Sequence, residues 1–244
     1  MIAPTSLIPI HDDNPTRRFP FVTVAIIVLN AIVFLSEPHF GTGNSPQVAE
    51  FFYHWGLVPR EIVHGHQLLL TGCPGRCFTN KNVYLSLVTS QFVHAGLLHI
   101  AGNMLFLWIF GNNIEDTLGP LPFAVFYLLC GGLAGLAHVA LNQASIFPTV
   151  GASGAIAGVL GAYLVLFPRA RVLTLAFFVI VPLPAVVVLG LWFVLQLFTG
   201  ASQQIGGGGV AWGAHVGGFM AGAILVLVFG GRGRAQQRQA RLGV

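Results

Sequence analysis

The residues of this chain that could do chemistry sit inside apolar stretches. Ser153 lies in Gly151-Ala152-Ser153-Gly154, His215 in Gly213-Ala214-His215-Val216-Gly217-Gly218, and His94, His99 and Asn103 along one apolar run. Polar side chains in such runs are costly, which makes them informative. A serine hydroxyl within reach of an imidazole is an activated nucleophile. The ring takes the proton as the new bond forms and returns it to the leaving group. No Asp or Glu falls inside any of the long apolar runs, so the spacing predicts a Ser153–His215 dyad and not a triad. Acyl transfer also needs donors for a developing oxyanion. Ser153 should open a helix, which leaves its backbone N–H free at the positive end of the dipole. His99 and Asn103 are four residues apart and share a helix face, so both are candidates to complete an oxyanion site. Structural support and a site role remain open for His94.

The elements that must position these groups are long and apolar. The chain has 244 residues, 55% hydrophobic and 7% charged, with a mean hydropathy of +0.80. A soluble domain carries roughly a quarter charged residues, so an integral membrane protein is expected. Six runs approach the roughly 20 residues that cross a bilayer: about 19–35, 92–114, 121–141, 147–167, within 172–198, and 210–229, the fifth disturbed at its start by Pro182 and Pro184. Their lack of strict alternation argues for helices over barrel strands. The fold class expected is an all-α membrane protein, a bundle of six transmembrane helices over 19–229. An N-terminal segment, 1–18, precedes it, an external loop of about 37–86 interrupts it, and a basic tail, 230–244, follows as a solvated segment able to touch anionic lipid.

Orientation follows from the cations. With the N-terminus in the cytoplasm, Arg17, Arg18, Arg169, Arg171, Arg232, Arg234, Arg238 and Arg241 fall inside, and only Arg60, Arg76 and Lys81 outside, a positive-inside bias. Both termini are therefore expected to be cytoplasmic, and the positive balance reads as topology control rather than a nucleic-acid face. The polar start, with Asp12 and Asp13 ahead of the first run, does not read as a cleavable signal or transit peptide. That favours a bacterial-type plasma membrane. Runs two, four and six then all pass inward, and five to eight residues at 1.5 Å each put His99, Ser153 and His215 roughly 10 Å below the outer surface. Small-residue stripes (Ser153, Ala157, Gly161; Ala211, His215, Gly218, Gly222) and the spacings Gly154-x3-Gly158, Gly213-x3-Gly217 and Gly218-x3-Gly222 predict that runs four and six pack closely.

Other reactive groups read more simply. Cys130 and His138 are expected to be interior residues of run three, and Glu115 a helix anchor. Cys73 and Cys77 would face an oxidising compartment, where a disulfide and free thiols both remain open. His64 and His66 lie nearby, but no ligand spacing there predicts a metal site.

Together these residues resemble the rhomboid family of intramembrane serine proteases. The matching motifs are His94-x4-His99-x3-Asn103, Gly151-Ala152-Ser153-Gly154 and Ala214-His215-x2-Gly218, in that order on runs two, four and six, and the likeness covers roughly 19–229. It implies a six-helix bundle that cleaves transmembrane segments of other membrane proteins, with no metal or cofactor. By position it implies Ser153 as nucleophile, His215 as general base, and His99 and Asn103 as oxyanion donors. Glu115 and Gly119 match its structural acidic-glycine motif. The resemblance also suggests run five, with Trp192 and Phe193, as a lateral gate for substrate. Three positions depart from the family pattern: Ala157 stands where an aromatic often packs on the histidine, Glu115-Asp116-Thr117 where Glu-x-Arg is common, and Leu85-Ser86 where a Trp-Arg pair often precedes run two. The rival reading is a catalytically silent rhomboid-like protein that binds membrane clients. A small transporter or channel is a more distant one, against which stands the absence of an inverted repeat.

Overall fold

A computed structural model describes residues 8–38, 46–68, 81–203 and 211–242. A strand, β1 (Ile8–Asp12), leads into α1 (Phe21–Ser36). Three short helices follow, α2 (Pro46–Trp55), α3 (Pro59–His64) and α4 (Ser86–Thr89). Next come α5 (Leu97–Phe106) and α6 (Asn112–Leu118), joined by a π-helical turn at Leu107–Gly111 into one continuous helix. Gly119 ends it with a φ of 89°, and Pro120 at the first position of α7 (Pro120–Leu141) starts the next. A proline there gives up an N–H that no helix would use. After α8 (Ser153–Leu166) the chain forms strands β2 (Arg171–Ala176) and β3 (Val179–Pro184), then α9 (Ala185–Gln203), α10 (Trp212–Val228) and α11 (Gly231–Leu242).

A helix stands in each of the six apolar runs, and three expectations change. First, among the described residues, length and composition suffice for a crossing only in the helices Leu97–Leu118 and Pro120–Leu141, and in a third if Trp212–Val228 and Gly231–Leu242, bent by 73°, form one span. Second, the fold is mainly but not wholly α. Residues 171–184, expected to begin the fifth helix, form a hairpin that joins β1 in an antiparallel sheet of order β1-β2-β3. Alternating β-branched and leucine residues favour a strand there, and Pro182 and Pro184 lie on the edge strand, where a missing N–H is tolerated. Third, 230–244 is not simply a solvated tail. Most of it is α11, and Arg238 is 1% exposed.

Helix α8 is the axis of the molecule. Every residue from Gly154 to Tyr163 is buried, as expected of a helix apolar all round. Its glycines let neighbours approach. A Cβ built on Gly218 or Gly222 of α10 would fall on the carbonyl of Gly154 or Gly158, and one on Gly161 would strike the carbonyl of Phe219. Cys130 of α7 packs against Gly158 from another side and is buried, as expected for an interior residue.

Candidate active site

The start of α8 carries the nucleophile candidate. The segment before it is held from two sides. Leu57 and Thr149 exchange backbone hydrogen bonds of 2.9 and 2.8 Å, and Gly151 N–H donates to the carbonyl of Ser90 at 2.8 Å. Gly151 has a φ of +125°, and a Cβ on it would come within 2.8 Å of the His99 ring. Glycine is therefore required both by conformation and by space. Ala152 N–H points at His94 Nε2, 3.4 Å away. His94 lies ahead of α5 and not within the helix as the run suggested; it is fully buried and supports the turn into Ser153.

Ser153 and His215 meet. Ser153 Oγ lies 2.8 Å from His215 Nε2, across the close contact of α8 with α10. Ser153 takes the first helical position of α8, so its N–H has no partner within the helix. His99 and Asn103 stand on one face of α5, as their spacing predicts, and line the same cleft as Ser153 and His215. Asn103 Nδ2 donates one hydrogen to the carbonyl of His99 at 3.0 Å. His99 Nδ1 accepts from Ala95 N–H at 3.4 Å, which assigns the ring proton to Nε2.

The pair lies between two openings. One cavity of about 410 Å³ includes Gln91, His99, Gly131, Thr149, Ser153 and His215 in its walls. The other, about 240 Å³, lies between α5 and α9 and is lined by Leu98, Asn103, Phe106, Trp192 and Gln196 as well as the pair. An extended chain could therefore enter from the helix surface and reach the hydroxyl, with space beyond it for a side chain or water.

Sequence reasoning missed two residues here. Gln196 Oε1 lies 2.9 Å from His215 Nδ1. The signal was available, because Gln196 is an amide in an otherwise apolar run, the same criterion that singled out Asn103. Gln91, buried before α5, lines the larger cavity. Ala157 is buried one turn below Ser153, and the aromatic ring beside His215 comes instead from Trp192 of α9, 5.8 Å between centroids.

The supporting residues are anchors. The Glu115 carboxylate accepts from Val22 N–H, Thr23 N–H and Thr23 Oγ1 at 2.9, 2.7 and 2.8 Å, capping the first turn of α1. Gly119 turns the chain between α6 and α7, and Gly154 and Gly218 form the α8–α10 contact. His138 bonds to Thr149 Oγ1 at 3.0 Å from its Nε2. Cys73 and Cys77, and the glycine-rich stretch before α10, lie outside the described residues.

A sequence model of the rhomboid domain matches residues 81–232. The chain is 34% identical over 221 residues to rhomboid protein 1, mitochondrial, of Saccharomyces cerevisiae, covering 87% of this chain and 56% of that protein. It is 35% identical over 154 residues to rhomboid protease GluP of Bacillus subtilis, 63% of this chain and 25% of the relative. It is 36% identical over 87 residues to presenilin-associated rhomboid-like protein, mitochondrial, of Mus musculus, 35% and 23% of the two chains. The domain match spans more than half of the sequence, so the chain belongs to the rhomboid family, membrane proteins that include intramembrane serine proteases. It spans about half the length of the yeast relative and a quarter of the other two. Mitochondrial names among these relatives leave the expectation of a bacterial plasma membrane without support.

Proposed function

We propose that this protein is an intramembrane serine endopeptidase that hydrolyses peptide bonds in transmembrane segments of other membrane proteins. The observation that carries the reading is the 2.8 Å contact of Ser153 Oγ with His215 Nε2 at the meeting of two clefts. In this reading Oγ attacks the scissile carbonyl carbon as its proton passes to Nε2. The oxyanion is held by Ser153 N–H, His99 Nε2–H and the second Asn103 amide hydrogen. The imidazolium protonates the leaving amine, and a water activated by the same nitrogen hydrolyses the acyl-enzyme. No step calls for a metal or cofactor.

The site's depth fits bilayer chemistry. Helices α1, α5–α6, α7, α8, α9 and α10 would be the six crossings, with both termini cytoplasmic. The 14 residues of α8 reach roughly 21 Å against a hydrocarbon core of roughly 30 Å. The irregular segment 147–152 makes up the difference, which such backbone does only beside a cavity. Ser153 is then below the surface yet wet. A substrate must present extended backbone, so the substrates expected are spans weakened by glycine and other small residues.

The test uses purified protein in detergent, a fluorophosphonate probe and a labelled transmembrane substrate. Wild type should label and cleave; Ser153→Ala and His215→Ala should do neither while staying folded. Cleavage undiminished in either variant would refute the mechanism. A wild type inert in both assays would favour a client-binding rhomboid-like protein.

A further inference from the structure

Between Ala185 and Phe198 of α9, Gln196 is the one side-chain amide, and it meets the histidine on the side of the ring opposite the serine. Its Oε1 is 2.9 Å from Nδ1, and Ser153 Oγ is 2.8 Å from Nε2. A carbonyl oxygen only accepts, so Nδ1 carries the ring proton and the Nε2 lone pair faces the serine hydroxyl. That is the tautomer a general base requires. The Trp192 ring lies beside the imidazole, and among the described residues the two nitrogens of His215 meet Ser153 and Gln196. We infer that Gln196 is a positioning residue of the dyad: a neutral amide on α9 that holds the tautomer and orientation of His215, and through it the readiness of Ser153. The inference rests on the peptidase reading above. An amide does this without placing a second charge in a low-dielectric site, where a carboxylate would carry a desolvation cost.

The helix that supplies this amide is unevenly anchored. Its first turns are embedded through Ala185, Val188 and Leu189. Farther along, Val194, Leu197 and Phe198 are exposed. There α9 rests on α10 through Trp192 and Phe193, whose rings stack on Phe219 at 6.2 and 4.5 Å, and through Gln196. Hydrogen bonds weaken steeply with distance and angle, so a small outward shift of α9 would release Nδ1 while the rings still touched. The dyad is thus aligned only while α9 is seated.

Two substitutions separate accepting from filling space. Gln196→Leu keeps the bulk and removes the acceptor; Gln196→Glu keeps an acceptor that cannot donate. In the purified full chain, Gln196→Leu should slow fluorophosphonate labelling of Ser153 and lower kcat roughly 10–100-fold, with KM within about twofold, less than the roughly 10⁴-fold loss when the orienting carboxylate of a soluble triad is replaced. Gln196→Glu should recover most of the loss. Ring ¹⁵N shifts of His215 should report Nδ1–H in wild type and a tautomer mixture in Gln196→Leu. Wild-type labelling rates in Gln196→Leu, or an Nε2–H tautomer in wild type, would overturn the inference. So would a Glu variant as slow as Leu at an unchanged unfolding midpoint. A wild-type protein that neither labels nor cleaves would instead sink the peptidase reading, and the ¹⁵N shifts would still decide the role of Gln196.

Discussion

Gly151 and Asn103 bound the space in which an oxyanion would form, one by lacking a side chain and the other by offering an amide hydrogen. A Cβ at Gly151 meets the His99 ring, so no larger residue fits without moving a donor. Asn103→Ala should lower kcat by roughly 10²-fold, the lower end of the loss of one oxyanion donor, with little change in KM or in probe binding. The initial rate of transmembrane-substrate cleavage measures it, and an unchanged kcat would remove Asn103 from the reaction. Asn103, like His99, Ser153 and His215, was readable in the sequence because each is a polar group whose presence in an apolar run demands a reason. Gln196 met the same criterion, but its target lies on another helix and is not encoded in local spacing.

At the scale of elements, glycine decides which helices touch. Gly222 faces the backbone of Gly158, where a Cβ has no room. Gly222→Val should force α8 and α10 apart and destabilise the protein by roughly 1–3 kcal/mol, read as a lowered unfolding midpoint in detergent. It should cost activity too, because the same contact aligns Ser153 with His215. The small-residue spacing of the two helices was visible in the sequence. The β2–β3 hairpin was not. An apolar, β-branched stretch suits a membrane helix or a strand equally until a partner is known, and that partner, β1, lies more than 150 residues earlier in the chain.

Across the whole molecule, a polar cluster ties the end of the bundle opposite the Ser153 cavity. Arg238 of α11 bonds to Asp116 Oδ2 at 2.7 Å, Asn113 Oδ1 at 2.7 Å and Asn14 Oδ1 at 3.0 Å. Asp12 accepts from Asn113 at 2.8 Å and from Tyr163 at 2.5 Å. Arg238→Met should destabilise by roughly 3 kcal/mol, because the buried Asp116 would lose its 2.7 Å partner and keep only the partly exposed Arg17, 3.8 Å away; denaturant or thermal unfolding reads this. Burial pushes the Asp12 carboxyl from 3.8 up to about 6, against the opposing pull of the Tyr163 hydrogen bond, His11 and Arg238. The folded state therefore holds this proton longer than the unfolded chain does. The stability it contributes is fully present below about pH 4 and is lost as pH rises through 6. The unfolding midpoint should accordingly fall between pH 4 and 7, and Asp12→Asn should flatten that fall.

Composition, hydropathy and three short motifs were enough to point to membrane helices, the family likeness and the groups suited to acyl transfer, since burying a polar side chain in an apolar run is costly wherever the run lies. Other features depend on distances between elements remote in the chain. Arg238 reads as one more solvated charge until α11 folds back against α6 and the N-terminal segment. Residues 171–184 read as helix until β1 arrives beside them. The tautomer of His215 is assigned only when α9 brings an amide oxygen to its far nitrogen. Local periodicity reports the cost of exposing a face, and long-range packing selects what covers it.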